Sequence, residues 1–430
     1  MIQLTTFSAD SSRAISGPEW LTARRAEAFE RFAAASLPSV EEEVWRYSPI
    51  YELDLDRFAP TEETSGPSFS VFENVATRSG AVEVRNGYVT WVELDDELAS
   101  KGLFVGPLAD HPDGADLLGS VVGEHADAFG ELHDAFLGDA VVVDVPAGMV
   151  VDKPIVVGTR TSGDGIATFP RLIVRTGADS EVSVLDYHAS RGGTSLVIPI
   201  VELDAGPASR LKYLNVEALG NTTWQLGHQV SRVGQEATLT AGTAALGGHY
   251  ARMRSDCRLT GRGSSGNLLA LYYGDGDQTL DFRTFQDHIA PDTTSNLLFK
   301  GALADESKSI YTGLIRVRPD ARGTNAYQTN RNIKLSDKAW AESVPNLEIE
   351  NSDVRCSHAS TVSPIDADQL FYLESRGVPS LVAERLIIAG FFSEVLEALP
   401  VSEATGVIAK MISAKQDRHQ SANKTESASP

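Results

Sequence analysis

The chain has 430 residues, 42% of them hydrophobic, and its 59 acidic against 37 basic side chains give a formal charge of −22. So acidic a surface repels phosphate backbones and anionic lipid, which argues against nucleic acid and membrane surfaces as partners. The excess is uneven, with 27 acidic against 9 basic residues up to position 150 and 11 against 13 from 251 to 345, and its simplest role is a solubilising face.

Residues 18 to 36, PEWLTARRAEAFERFAAAS, predict a helix. Pro18 suits the first turn, Trp20, Leu21, Ala28, Phe29 and Phe32 recur near helical spacing, and Pro38 closes the segment. An acidic, proline-marked connection, LPSVEEEVWRYSPI, then carries Trp45 and Tyr47. From 66 to about 139, strand-like pieces such as AVEVRNGYVTWVEL mix with a helical pattern near 117 to 138, so residues 1–139 read as a helical and α+β region.

At Ala140 the texture changes. For about two hundred residues the chain is short runs of Val, Ile, Leu, Thr and Tyr separated by Gly, Asp and Ser, without a stretch of helical period long enough for crossover helices. Runs recurring every ten to fifteen residues suit a solenoid, a sandwich or a large barrel, and length favours the solenoid, because stacked coils add core without a size limit. The fold class expected is mainly β: a right-handed parallel β-helix over 140–361, flanked by the N-terminal region and a C-terminal helical domain over 362–415. In that domain Asp366 caps a helix bearing Leu370, Phe371 and Leu373; Gly377 stops it and Pro379 starts another, whose apolar stripe is Leu381, Leu386, Ile387, Phe391 and Val395. A further helix spans about 402 to 415, and the polar tail 416–430 is expected to be disordered.

The two cysteines, Cys257 and Cys356, form no CxxC pair, no apolar run approaches the roughly 20 residues that span a bilayer, and the opening lacks a secretory pattern. The expectation is a cytoplasmic protein with reduced thiols. GRGSSG, 261 to 266, fits a dinucleotide fingerprint literally, but a strand-like NLLALYYGDG follows where a helix is required, so a solenoid turn is expected. The sequence has neither a phosphate-cradling GxxxxGK[ST] loop nor a GxSxG elbow. Arg316, Arg318, Arg322 and Arg331 are the only support for a carbohydrate-active groove, and solvent-facing solenoid charges account for them as well. Cys356 and His358 alternate along DVRCSHASTV and would share a strand face. Thiolate and imidazole there make half of an iron, zinc or copper site; a nucleophile with its base and two core neighbours fit the spacing equally.

The block VRCSHASTVSPIDADQLFYLESRGVPSLVAERLIIAGFF resembles the C-terminal signature of the SufB/SufD family, the β-helical subunits of iron–sulfur cluster assembly. GTNAYQTNRNIKLSDKAWAESVPNLEIENSDV and the N-terminal PEWLTARRAEAFERFAAASLPSVEEEVWRYSPI are similar to it as well, so the likeness covers nearly the whole chain. In the SufB branch a cysteine follows the Asp-Lys of the segment LSDKAWAE, a glutamate follows the histidine matching His358, and a cysteine-rich N-terminal motif is present. Here Ala339 and Ala359 occupy the first two positions and the motif is missing, which points to the SufD branch.

The resemblance implies a non-catalytic scaffold subunit, paired with a SufB-like paralogue by extension of one β-helix sheet into the other and with a SufC-like ATPase docked on the C-terminal helices. Leu370, Phe371, Leu386, Ile387 and Phe391 would contribute to that docking. The scaffold binds no nucleotide itself, since ATP hydrolysis belongs to SufC. It further implies that a transient iron–sulfur cluster forms at the SufB–SufD interface, with His358 as this chain's ligand and Cys356 as an auxiliary thiolate. A homodimer when alone, a stand-alone cluster carrier and a carbohydrate-active β-helix enzyme are the other readings.

Overall fold

The computed structural model describes residues 4–61 and 71–427, with side chains to 421. Its centre is a parallel β-solenoid whose strands alternate between two sheets. The first sheet takes Ala140–Val145, Arg171–Thr176, Ile200–Ala205, Thr223–Val233, Tyr250–Leu259, Thr279–His288, Lys308–Val317 and Trp340–Ile349. The second takes Gly80–Arg85, Ile155–Ser162, Glu181–Arg191, Arg210–Ala218, Thr238–Ala245, Ser265–Gly274, Thr294–Leu303, Thr324–Lys334 and Val354–Pro364. One coil takes about thirty residues, as the pairs Ser265–Thr294 and Thr324–Val354 show. In-register stacking places like on like: Val182, Leu211 and Leu239 form one inward column, all fully buried. Gly80–Arg85 already lies in the second sheet, so the solenoid begins ahead of the expected start at 140.

The Gly, Asp and Ser separators have a structural reason. At one corner of successive coils a residue adopts a left-handed backbone: Asp179, Ala208, Glu236, Gly263, Asp292 and Gly323, with φ between 55 and 72°. Each sends its N–H to a carbonyl one coil on, Ala208 to Gln235 O at 2.8 Å and Gly263 to Pro291 O at 3.2 Å. GRGSSG is therefore one corner of this stack, and the strand Ser265–Gly274 follows it as the sequence implies.

Both outer faces of the middle coils are covered. On the first sheet lie the helices Glu19–Ala34 and Ala128–Ala135, with Phe32, Trp45, Phe129, Trp224 and Tyr250 in one buried cluster. Trp45, from the acidic connection, lies under the Arg252 guanidinium at 3.7 Å. The Glu202 carboxylate, fully buried, accepts N–H bonds from Gly119, Val121 and Val122 and pairs with Arg171 at 2.6 Å. Burial alone would raise this carboxyl, but Arg171 and those donors hold it below its ordinary range. On the second sheet lie Ser380–Ala398 and Thr405–Ser427, with Ile388, Phe392, Val395, Ile408 and Ile412 packed on Leu214, Leu271 and Tyr273.

Two expectations for the C-terminal helices need correcting. The face of Ser380–Ala398 that packs is Ala383, Ile388, Phe392 and Val395, which leaves Leu381 and Leu386 exposed; only Val395 of the expected stripe is fully buried. The last helix also runs past 415, because polar contacts hold it where no apolar stripe exists. Lys415 Nζ is buried against Asp275 and donates to Gln278 Oε1 at 2.7 Å, and His419 Nδ1 meets Asp305 Oδ1 at 2.6 Å. Residues 428–430 of the expected tail lie outside the described residues.

Two outcomes follow. Ala208 gains nothing from its Cβ at a left-handed corner, so Ala208→Gly is expected to raise stability by up to about 1 kcal/mol in thermal denaturation. His133 on Ala128–Ala135 is wholly buried with Nδ1 on Ile198 O at 2.8 Å, and burial, reinforced by Arg171, lowers its pKa from 6.5 to about 3. Its folded value lies below the unfolded one, so its contribution is complete above pH 6.5 and is lost as pH falls toward 3, at up to about 1.4 kcal/mol per pH unit. His133→Gln should flatten this acid limb in pH-dependent denaturation.

Candidate functional site: the open end of the solenoid

The two ends of the rod differ. At the N-terminal end the second sheet is closed by Tyr88–Leu94, antiparallel to Gly80–Arg85, and the first by Phe104–Pro107, antiparallel to Ala140–Val145. At the other end Trp340–Ile349 and Val354–Pro364 each have, among the described residues, a strand neighbour on one side only, and their side chains are exposed or half-buried throughout. Trp340 N–H donates to Ser307 O at 3.1 Å and Glu350 N–H to Val317 O at 2.9 Å. The even-numbered residues of that strand therefore bond inward, and Ala341, Ser343, Pro345 and Leu347 direct their backbone groups to the open edge. Pro345 has no N–H to offer there, a common guard against indiscriminate strand addition.

Cys356 and His358 sit on this final coil. Along the preceding strand Thr324, Ala326 and Gln328 are buried and face the interior, and in register Cys356 stands over Ala326 and His358 over Gln328. The two thus share the interior face, as alternation implied. Cys356 is half-buried against Ile315, Val317, Ala326 and Leu347, and burial pushes its thiol pKa up. His358 is exposed, because no coil lies above it. The Gln328 amide beneath has no hydrogen-bond partner among the described residues. A glutamine in a β-run carries no signal of this in the sequence; only the register puts it under the imidazole. Among the described residues no three His, Cys, Asp or Glu side chains converge as a metal site, so this chain offers two donors at most at this position. Ala339, 2% exposed, closes the turn before Trp340 and carries no ligand.

The docking candidates lie apart from this pair, beyond the far end of the same strand. A cavity of about 990 Å³ opens between the end of Val354–Pro364 and the helices Ala367–Ser375 and Ser380–Ala398, lined by Arg331, Asp366, Tyr372, Leu386, Ile387 and Phe391. Phe371, 70% exposed, Leu386, 51% exposed, and Tyr372, Leu381 and Val382 are exposed apolar side chains of these two helices; Leu370, Ile387 and Phe391 are half-buried. Lys300 pins the helix beneath, donating to Phe391 O at 2.9 Å and pairing with Glu394 at 2.6 Å. The arginines considered for a carbohydrate groove are not one cationic row. Arg318 binds Asp287 through two bonds of 2.9 Å, Arg316 faces Glu348 and Glu350, and Arg331 lines the cavity on the other sheet. No helix of the described residues is long and apolar enough to cross a membrane.

The chain is a parallel β-solenoid flanked by helices, and comparison with known proteins shows the family to which it belongs. Residues 159–391 match the family model of the SUF system FeS cluster assembly SufBD core domain, and the chain belongs to that family. It is 31% identical over 417 residues to an iron–sulfur cluster assembly SufBD family protein of Mycobacterium tuberculosis, covering 95% of this chain and 97% of that one. It is 26% identical to the iron–sulfur cluster assembly protein SufD of Bacillus subtilis (93% and 94% covered) and 24% identical to SufD of Escherichia coli (86% and 87%).

Thiol titration checks the site. Cys257 is 1% exposed and burial pushes its thiol pKa up to about 12, whereas Cys356 lies at the open coil. An aromatic disulfide reagent should titrate one thiol in the native chain, at a rate below that of an unhindered cysteine, and two after denaturation.

Proposed function

We propose that this chain is a SufD-like scaffold subunit of a cytoplasmic iron–sulfur assembly complex, without catalytic activity of its own. The observation that carries the reading is the position of His358: an exposed imidazole on the interior row of a coil whose next neighbour is missing. A SufB-like chain adding strands to that edge would enclose His358 and Cys356 and bring the ligands they lack. The nascent cluster is cargo held between two chains. A ligand set split between subunits holds iron and sulfide only while the seam is closed, which suits a scaffold that must release its product.

The apolar surface around Phe371 and Leu386, with half-buried Leu370, Ile387 and Phe391 behind it, is the docking face for a SufC-like ATPase, which supplies all nucleotide chemistry. Closure of two ATPase subunits would pull on Ser380–Ala398, and Lys300 ties that helix to the second sheet, whose last strand bears His358. Such a rigid link would carry the pull to the seam and open it to iron and sulfur.

Co-expression with SufB-like and SufC-like partners tests this. The wild-type complex should assemble a cluster with visible absorption, and His358→Ala should lower the yield at least about tenfold while leaving the complex intact on gel filtration. An unimpaired His358→Ala complex sinks the ligand assignment. A stoichiometric cluster on the chain purified alone would instead establish a stand-alone carrier.

A further inference from the structure

The outward row of the first sheet is a ladder of charge. In register, one residue per coil, it runs from Asp144 through Arg175 and Asp204 to Arg232. The next coils continue it through Arg258, Asp287 and Arg316 to Glu348. Every carboxylate in the body of the ladder has a cationic neighbour on both sides. Asp204 lies between Arg175 and Arg232 and accepts from Arg232 Nη2 at 2.5 Å. Asp287 lies between Arg258 and Arg316 and also accepts two bonds from Arg318. Even Asp144, on the first rung, is closed on both sides: Arg175 Nη2 reaches it at 2.6 Å, and His111, from the N-terminal cap, approaches at 3.2 Å.

Glu348 breaks the pattern. Arg316 Nε is 3.5 Å away on one side, the other side is the open edge, and the carboxylate side chain is 54% exposed. Glu350 beside it lies 3.7 Å from the same arginine. Arg318, already bound to Asp287, is the other cation near these two carboxylates at the rung where the sheet stops.

We propose that the chain pairing with the edge Trp340–Ile349 presents an arginine or lysine beside Glu348, so that the ladder continues across the seam. This rests on the reading above, in which the open end receives a SufB-like chain, and adds the chemistry that selects strand and register. A one-residue slip would turn the cation to the interior face, and a two-residue slip would carry it some 6–7 Å along the strand, past Glu348. The strand WAESVPNLEI contains no Lys or Arg, so a second copy laid strand on like strand leaves Glu348 unmatched. Charge complementarity therefore favours a different chain over self-pairing.

The experiment measures affinity between the full-length chain and its SufB-like partner, with the SufC-like subunit present, in about 50 and 500 mM salt. Glu348→Lys should weaken binding about tenfold at low salt and less at high salt, because an exposed pair is screened. Glu342→Lys, on the same strand but beside Ile310 and not a ladder residue, should change it less than twofold. Replacing one Lys or Arg of the partner's edge strand by Glu should restore binding of the Glu348→Lys chain. An unchanged melting temperature of each variant alone shows that the edge is intact. Wild-type binding with Glu348→Lys within twofold at both salt concentrations, or no restoring replacement, overturns the ladder and leaves the seam standing. Failure of the wild type to bind overturns the seam itself.

Discussion

A parallel solenoid has a constraint that a barrel escapes: every coil needs a neighbour on each side, and the two terminal coils have only one. This chain spends two antiparallel strands, Tyr88–Leu94 and Phe104–Pro107, on closing its N-terminal end and leaves the other end open. The rest follows from that asymmetry. The same stacking that buries Ala326 and Gln328 leaves Cys356 half-covered and His358 bare, one coil later in the same column. The exposure of this pair is produced by the end of a periodic structure.

The middle of the rod is built to hold that end still. Helices cover much of both faces of the central coils, so most of their strand residues are buried although the strands mix apolar with polar and charged side chains, as in YARMRSDCRL at Tyr250–Leu259. Two of the buried charges are held in pairs, Arg171 with Glu202 and Lys415 with Asp275, where removing one member would strand the other in low dielectric. Such pairs add little net stability but fix which turn meets which helix.

Much of this was legible in the residues. Strand texture from Ala140, the helix near 18–36 and the stop at Gly377 all rest on local rules of spacing and backbone conformation, and the structure follows them. Glu19–Ala34 is helical, and Gly377 is left-handed at φ 86°. The Cys356–His358 pair shares one face because alternation along a strand is a local property. Periodicity does not single out the helical stripe that packs, because Leu381 and Leu386 satisfy it as well as Ala383 and Ile388 do. Which set faces the sheet depends on where the helix lands. The last helix was cut short for a related reason: Lys415 and His419 look like solvated residues until Asp275 and Asp305, over a hundred positions away, are brought beside them.

The sequence by itself determined the coil texture, the flanking helices, the shared face of the candidate ligands and, by resemblance, the family, because each depends on residues close in the chain or on a preserved pattern of residue types. Only the tertiary structure decided that Gly80–Arg85 joins the solenoid, that one end is capped and the other open, and that Glu348 ends a row begun at Asp144. These depend on register between strands about thirty residues apart, or as far apart as Gly80 and Ile155, and register is set by the whole stack, with no single run of residues encoding it.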